Sequence, residues 1–456
     1  TLLQALDIER VETVEIEAAM AEAARGFKPR NSAAFADPRS AILIDDAKTY
    51  FSARSRRYDI LISEPSNPWV SGVSSLFTRE FYRRIRGHLA PGGVLVQWFQ
   101  LYEIDASLLA SVMRALGEEF PHYAVYAPSD HDVLIVAAEG PLPPPQARVF
   151  EQPGIAKELR NVHLLSIGDL DARYIGNRAT LEPLFASYGT PANSDYYPVL
   201  DLNAARHRFT ERSATDVVAL LNLGIPVLEM LEPGFARRPP NAQYKGAYSF
   251  ERIENARQAA YVRDFLQGAG SPAPLGIPTG LQKDLEVVML RLLECRNPLE
   301  FDVWLQSLLR VANLVNAHLP AAQAQGLWSR IASGSCVRGL RDFQRQWIAL
   351  FRAVGARDAG AMADLGARLI ATTPELGADA REYLIMAAMT GAVAAGRHAQ
   401  ARELWDAQVK RQSRLGGQSS FQQLGQPAFR LLRCHAQPGA SAAQCAHALR
   451  AFAGND

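Results

Sequence analysis

Thiols are missing from the first 294 residues of this chain: Cys295, Cys336, Cys434 and Cys445 all fall beyond them. Chemistry in that stretch proceeds without a cysteine nucleophile or a thiolate-held metal. Cys434-His435 and Cys445-Ala-His447 lack the paired Cys-x-x-Cys spacing of a zinc knuckle. Buried free thiols are therefore expected, with a disulfide or a zinc site as the alternatives. Net charge is also nearly absent, since 48 Lys and Arg offset 47 Asp and Glu to leave a formal +1. That excludes bulk attraction to nucleic acid or to anionic membranes. Short basic runs such as Arg54, Arg56, Arg57 and Arg83, Arg84, Arg86 read as solvated helix faces. No apolar run approaches the roughly 20 residues that span a bilayer. Asp7, Glu9 and Arg10 stand where a signal peptide would be basic and then apolar. The chain opens on Thr1 in place of Met, as expected of a fragment or a processed product.

What is present fits a soluble globular protein, with 48% hydrophobic and 21% charged residues. Its 456 residues call for two or three domains. Strands are predicted at Val11–Ile16, Ala41–Ile44, Tyr58–Ser63 and Val94–Phe99. Helices are predicted at Ala18–Phe27, Ala47–Ser55, Phe77–Leu89 (closed by Pro91-Gly92-Gly93) and Ala106–Phe120. Tyr123–Tyr126 and Val133–Ala137 flank Ser129-Asp130-His131 as a hairpin. The alternation predicts a parallel α/β sheet with an antiparallel edge.

Gly140-Pro-Leu-Pro-Pro-Pro145 is a stiff connector. It leads to a mixed stretch ending in Thr190-Pro-Ala-Asn-Ser-Asp-Tyr-Tyr-Pro-Val-Leu-Asp201, which suits either a loop closing over a pocket or a surface turn. Beyond it only helical signals remain, with a further boundary in Pro233–Pro240 or Gly268–Gly280. The expected domains are 1–140, an α/β unit; 141–210, a linker and pocket-capping segment; and 211–456, an all-α unit. Gly355 and Gly396 lie 41 residues apart, each between helical patterns rich in small residues. This resembles tetratricopeptide-type helix pairs, with an irregular helical domain as the alternative.

Parallel strands deliver working residues at their carboxyl ends, where ligands bind. Three consecutive predicted strands end in an acid there. Glu15, in Val14-Glu15-Ile16-Glu17, suits a bidentate acceptor for two ribose hydroxyls. Asp46 of Asp45-Asp46 suits either an adenine amino group or a helix N-cap. Glu64, in Ser63-Glu64-Pro-Ser-Asn67-Pro-Trp69, suits a general base or an anchor for a cation, and burial would raise its pKa toward a useful range.

The run from Val14-Glu15-Ile16-Glu17 through Asp37-Pro-Arg39 and Asp45-Asp46 to Ile62-Ser-Glu-Pro-Ser-Asn-Pro68 resembles the spermidine/spermine synthase family. So do Ser75-Leu-Phe-Thr-Arg-Glu-Phe-Tyr82 and Leu89-Ala-Pro-Gly-Gly-Val-Leu-Val96. The resemblance covers about residues 1–140 and is nearest the bacterial branch with the Glu-Pro-Ser-Asn-Pro variant, whose domains often follow membrane-spanning helices. It implies a Rossmann-like, methyltransferase-type fold, followed here by the helical domain. It implies polyamine synthase activity, with an aminopropyl group moving from decarboxylated S-adenosylmethionine to an amine. Position by position, Glu15 matches the acid that holds the ribose, Asp46 the acid at the adenine, and Glu64 the acid that deprotonates the attacking amine. Asn67 stands where the family has a second acid for the diamine. The glycine-rich nucleotide loop would lie just before Thr1, on a strand this chain lacks.

Two other readings stay open. One is a methyltransferase using ordinary S-adenosylmethionine; the other is a non-catalytic transferase-like domain carrying a helical-repeat interaction module. Asn67, Trp69, Trp98, Tyr102, Asp105 and Asp195 are further candidates for the acceptor pocket. No metal and no nucleic acid are expected. The expected partners are a small amine and, through the helical half, a protein. The expected location is the cytoplasm, or the cytoplasmic side of a membrane if membrane helices precede Thr1.

Overall fold

The computed structural model describes residues 2–5, 7–70, 72–207, 213–241, 250–268, 277–296, 300–373, 376–415 and 426–437, together with Cys445, His447 and Leu449. The expected boundary at 210/211 and most of the Gly268–Gly280 stretch lie outside the described residues. Among the described residues, seven strands form two sheets. β1 (Val11–Glu15) and β2 (Ser40–Ile44) make a parallel pair of their own. The other sheet, in the order β3-β4-β6-β5-β7, comprises β3 (Tyr58–Ser63), β4 (Leu89–Gln100), β5 (His122–Tyr126), β6 (Asp132–Ala138) and β7 (Tyr174–Asn177). Only β3 and β4 run parallel in it; the other neighbours are antiparallel.

This sheet is a Rossmann-like mixed sheet, as expected, but its layout differs from a single parallel sheet in three ways. First, β1 and β2 do not pair with β3 among the described residues. A polar seam joins the two sheets instead, in which Tyr58 and Tyr50 each donate a hydroxyl hydrogen bond to Glu12 on β1, at 2.7 and 3.0 Å. Second, the hairpin strand β6 lies inside the sheet, and β7 from the 141–210 segment forms the edge. Third, the helix predicted over Phe77–Leu89 spans Arg79–Gly87, and β4 starts before Pro91-Gly92-Gly93. Those residues form a bulge. The register slips between Tyr58 and Ile60, Gly92 takes φ +79°, and a Cβ on Gly93 would lie 2.9 Å from the Ala90 and Tyr58 carbonyl oxygens.

The amphipathic helix Ala106–Glu119 buries Leu108, Leu109, Val112, Met113 and Leu116 in the core beside β4. That core continues unbroken into the helical half, which is built around Trp304, Trp328 and Trp347. Trp328 and Trp347 pack on Phe351 at 5.3 and 5.7 Å between ring centroids. The helices Ala359–Thr372 and Ala378–Ala394 approach closely through glycine. A Cβ on Gly391 would meet the Ala359 oxygen and Ala363 nitrogen at 2.6 Å, and one on Gly366 the Ala388 Cβ at 2.8 Å. The helix-turn-helix pattern that suggested Gly355 and Gly396 as equivalents instead pairs Arg357 with Gly396, the two left-handed residues that follow helices Asp342–Ala356 and Ala378–Ala394.

The cysteines do not stay free. Cys295 bonds Cys336 and Cys434 bonds Cys445, with Cα separations of 4.8 and 5.6 Å. Tertiary packing of helices brings the partners within disulfide reach, which linear spacing does not display. Among the described residues no helix is long and apolar enough to cross a membrane.

Candidate active site

The parallel pairing of β1 with β2 sets Glu15 opposite Ile44, and the Asp45 N–H donates to the Glu15 carbonyl at 3.1 Å. Glu15 and Asp46 therefore emerge at the same end of the two-stranded sheet. Both carboxylates are partly engaged by local backbone. Glu15 Oε1 accepts the Glu17 N–H at 2.9 Å. Glu17 in turn caps the helix Ala18–Ala23 through the Ala19 N–H. Asp46 is the N-cap of the helix Ala47–Ala53 and accepts the Thr49 N–H at 2.8 Å. An ionised carboxylate has two oxygens and about four lone-pair sites, so a cap leaves capacity for a ligand.

Glu64 follows the last residue of β3 and is exposed. The burial expected of it is absent, because β3 is a sheet edge with Ile60 and Ile62 themselves 42% and 53% exposed. Beyond it the loop tightens. Pro68 is buried, the Asn67 amide donates to the Tyr102 hydroxyl at 3.4 Å, and Trp69 meets Tyr102 edge to face at 6.2 Å. Asn67, Trp69 and Tyr102 are thus gathered at the carboxyl ends of β3 and β4. Trp98 sits half-buried on β4 opposite Leu134. Asp105 is the N-cap of Ala106–Glu119 and accepts the Ser107 N–H at 2.6 Å.

Asp195 pairs with Lys48 at 2.9 Å, which places its loop beside the helix that Asp46 caps. That loop is firmly docked. Buried Asn193 donates to the carbonyls of Ser74 and Phe77, and Ser194 and the Asp195 N–H both donate to Glu80. Burial pushes the Glu80 carboxyl up, but these donors and Arg79 outweigh it and hold the group below its ordinary range. Tyr196 and Tyr197, at the tip, are exposed.

Sequence reading passed over Gln97 and Gln100. Both side chains are fully buried at the carboxyl end of β4, and each amide oxygen lacks a donor among the described residues. The Gln97 amide nitrogen bridges to the Ser63 carbonyl at 3.2 Å, next to Glu64. A polar residue in an otherwise apolar strand was the available signal, and an unfilled buried acceptor costs about 1–3 kcal/mol unless a ligand or water supplies the donor.

Residues 2–130 match the family model described as spermine/spermidine synthase domain. A polyamine aminopropyltransferase of Synechococcus sp. is 30% identical over 154 residues, which cover 32% of this chain and 49% of that protein. One of Klebsiella pneumoniae is 38% identical over 90 residues, 20% of this chain and 31% of that protein. The crystal structure of spermidine synthase from Thermotoga maritima aligns with 30% of this chain and 48% of its own, at 25% identity and a TM-score of 0.27. The chain spans at most about half the length of these curated relatives. The likeness of this chain to the spermine/spermidine synthase domain therefore lies over residues 2–130.

Proposed function

We propose that the α/β part of this chain is an aminopropyltransferase-like unit, in which Glu15 and Asp46 hold the nucleoside of decarboxylated S-adenosylmethionine and Glu64 serves the attacking amine. The observation that carries this reading is the succession of acids at the carboxyl ends of β1, β2 and β3 within the matched domain. Free aliphatic amines have pKa values near 10 and attack only when neutral. A carboxylate beside the nucleophile takes the ammonium proton. The amine nitrogen then bonds the methylene carbon, the carbon–sulfur bond breaks, and the sulfur keeps the electron pair as a neutral thioether. Trp69, Trp98 and Tyr102 would line the acceptor side and Asp195 its rim, with Asp105 helping only by capping its helix. Asn67 in place of an acid removes one attraction for a dication, which favours an acceptor with one charged end. Residues 141–210 would cap the pocket, and 211–456 would offer a protein-interaction surface.

The test is turnover of decarboxylated S-adenosylmethionine with a panel of mono- and diamines, by the longest form of the protein. Glu64→Gln is expected to lower kcat at least 100-fold with little change in nucleoside binding. Full turnover in that variant, or calorimetric preference for ordinary S-adenosylmethionine, would overturn the reading.

A further inference from the structure

A second concentration of charge lies where the 141–241 segment meets the helices, beside the start of β7. Four arginines converge there. Arg238 is neutralised by Asp171, whose carboxylate accepts its Nε at 2.7 Å and its Nη2 at 2.9 Å. Arg357, the left-handed residue after Asp342–Ala356, is neutralised by buried Glu229 at 3.0 Å. Arg237 and Arg252 have no such partner. Arg237 donates to the carbonyls of Asp171 and Tyr174, and Arg252 to those of Leu221 and Ala317. Neither has a carboxylate within hydrogen-bond distance among the described residues. Glu232, the next acid, spends its oxygens on the Tyr174 hydroxyl and the Asn177 N–H.

Guanidinium groups do not shed their proton in proteins. Burial and the neighbouring Arg237 charge disfavour the charged form of Arg252, yet no neutral state is accessible to it. A buried charge with only neutral partners is costly.

Between these groups lies a cavity of about 10 Å³. Its polar side chains are Arg237, Arg238, Arg252, Arg357 and His318, and among the described residues no carboxylate lines it. His318, the last residue of the helix Phe301–His318, is 7% exposed, and its Nδ1 has no partner. A second cavity of the same size shares Arg237 and Arg252 in its lining, and Glu229 lines that one. Such a volume admits one water-sized particle. Phosphate, sulfate and nucleotides are excluded by size.

We propose that the cavity bounded by Arg237, Arg252, Arg357 and His318 binds a single monatomic anion of the chloride class. The anion supplies the charge that Arg237 and Arg252 lack and the partner that His318 lacks. It also joins four pieces of the chain: the helix Ile167–Arg173 through Ala172, the Pro233–Pro240 stretch through Arg237, the helix Glu251–Leu266 through Arg252, and the turn at Arg357. The ion is structural, outside the aminopropyl-transfer reading, and independent of it.

The deciding measurement is anomalous scattering at the bromine edge from crystals of the disulfide-intact protein equilibrated in bromide. A peak in the cavity supports the proposal. Density for a water with no anomalous peak overturns it. In solution, replacing gluconate by chloride or bromide at constant ionic strength is expected to raise Tm saturably, and Arg252→Met to weaken the half-saturation at least tenfold. If Arg252→Met fails to fold, His318→Phe replaces it and must remove at least part of the halide response. A peak with a flat Tm still supports the site, as one filled before the titration begins.

Discussion

The two sheets of this molecule are built on different principles. Among the described residues before Tyr50, Ala5 is the only buried side chain, and Ile16, Met20, Phe27 and Ile44 are all more than half exposed. By contrast, β4 and the helix Ala106–Glu119 bury most of their side chains in a core that runs on into the helical half. Apolar burial is the main stabilising term of a folded domain, so β1–β2 is held chiefly by hydrogen bonds and ion pairs at its seam. The acids expected to hold a nucleoside, Glu15 and Asp46, lie on that lightly packed side, while Glu64 lies on the edge of the packed one. Ligand-binding segments are commonly drawn from the less stable parts of a fold. Binding a nucleoside would then order β1–β2 against β3.

The strongest way to break this contrast is to damage the packed side. Phe99 is fully buried on β4 and meets Phe77 edge to face at 5.1 Å. Phe99→Ala is expected to cost about 3–5 kcal/mol, lowering the midpoint of global unfolding. On β1, whose only apolar side chains are valines, Val11→Ala should leave that midpoint nearly unchanged. The next largest effect is expected from the disulfides. Cys295–Cys336 closes a separation of 41 residues, and opening such a loop costs about 2–4 kcal/mol. Thermal unfolding with and without reductant reads that loss, which should spare amide exchange in β1–β2. Disulfides persist in oxidising compartments, which sets these two against the cytoplasmic location expected from the sequence. Alkylation of protein taken directly from its cell should label none of the four cysteines; labelling of all four would restore that expectation.

Legibility did not follow packing: β1 and β2 lie within one residue of their predicted bounds, whereas β4 starts five residues before its predicted Val94. Tyr58–Ser63 was predicted to the residue, and the hairpin strands to within one or two, because alternating apolar runs bounded by turn residues carry a strong signal. Pro91-Gly92-Gly93 was misread because the same residues end helices and make bulges, and only the approach of the Tyr58 carbonyl decides between them. Strand β7 escaped notice: Tyr174-Ile-Gly-Asn177 is too short for a period to be seen. The candidate acids were legible as strand-end residues. Their local duties were only partly so, since Asp105 and Asp46 also cap helices, and N-cap residues are the same types that bind ligands. The arginine cluster was invisible, as it is assembled from four separated segments.

The seam itself gives the third prediction. Burial pushes the Glu12 carboxyl up, but the hydroxyls of Tyr58 and Tyr50 and the charges of Arg56 and Arg10 outweigh it and hold the group below its ordinary range. A depressed carboxylate stabilises the folded form above its unfolded pKa, about 4.3. That contribution is lost as pH falls through the lower, folded value. Acidification below about pH 4 is therefore expected to speed amide exchange in β1–β2 before β4–β6 responds. Glu12→Gln should remove the pH response and loosen the same strands by about 1–3 kcal/mol at neutral pH. Simultaneous opening of both sheets in either experiment would show that they do not differ in the way described.

The smallest effect is expected where the two regions touch at the surface. Lys48, on the helix capped by Asp46, pairs with Asp195 on the docked loop, and both side chains remain partly exposed. An exposed pair of this kind contributes about 0–1 kcal/mol and weakens with salt. Lys48→Met should leave Tm within a degree or two of the parent. Its value lies in what else moves. The Thr190–Asp201 loop is anchored to the packed side by Asn193 and Ser194, whereas Lys48 belongs to the lightly packed side. If the loop caps a site shared by both, losing the Lys48–Asp195 link should raise KM for the nucleoside substrate several-fold at low salt and do nothing at high salt. Unchanged KM at low salt would mean that the loop belongs to the packed side alone, and that the two regions meet only at the Glu12 seam.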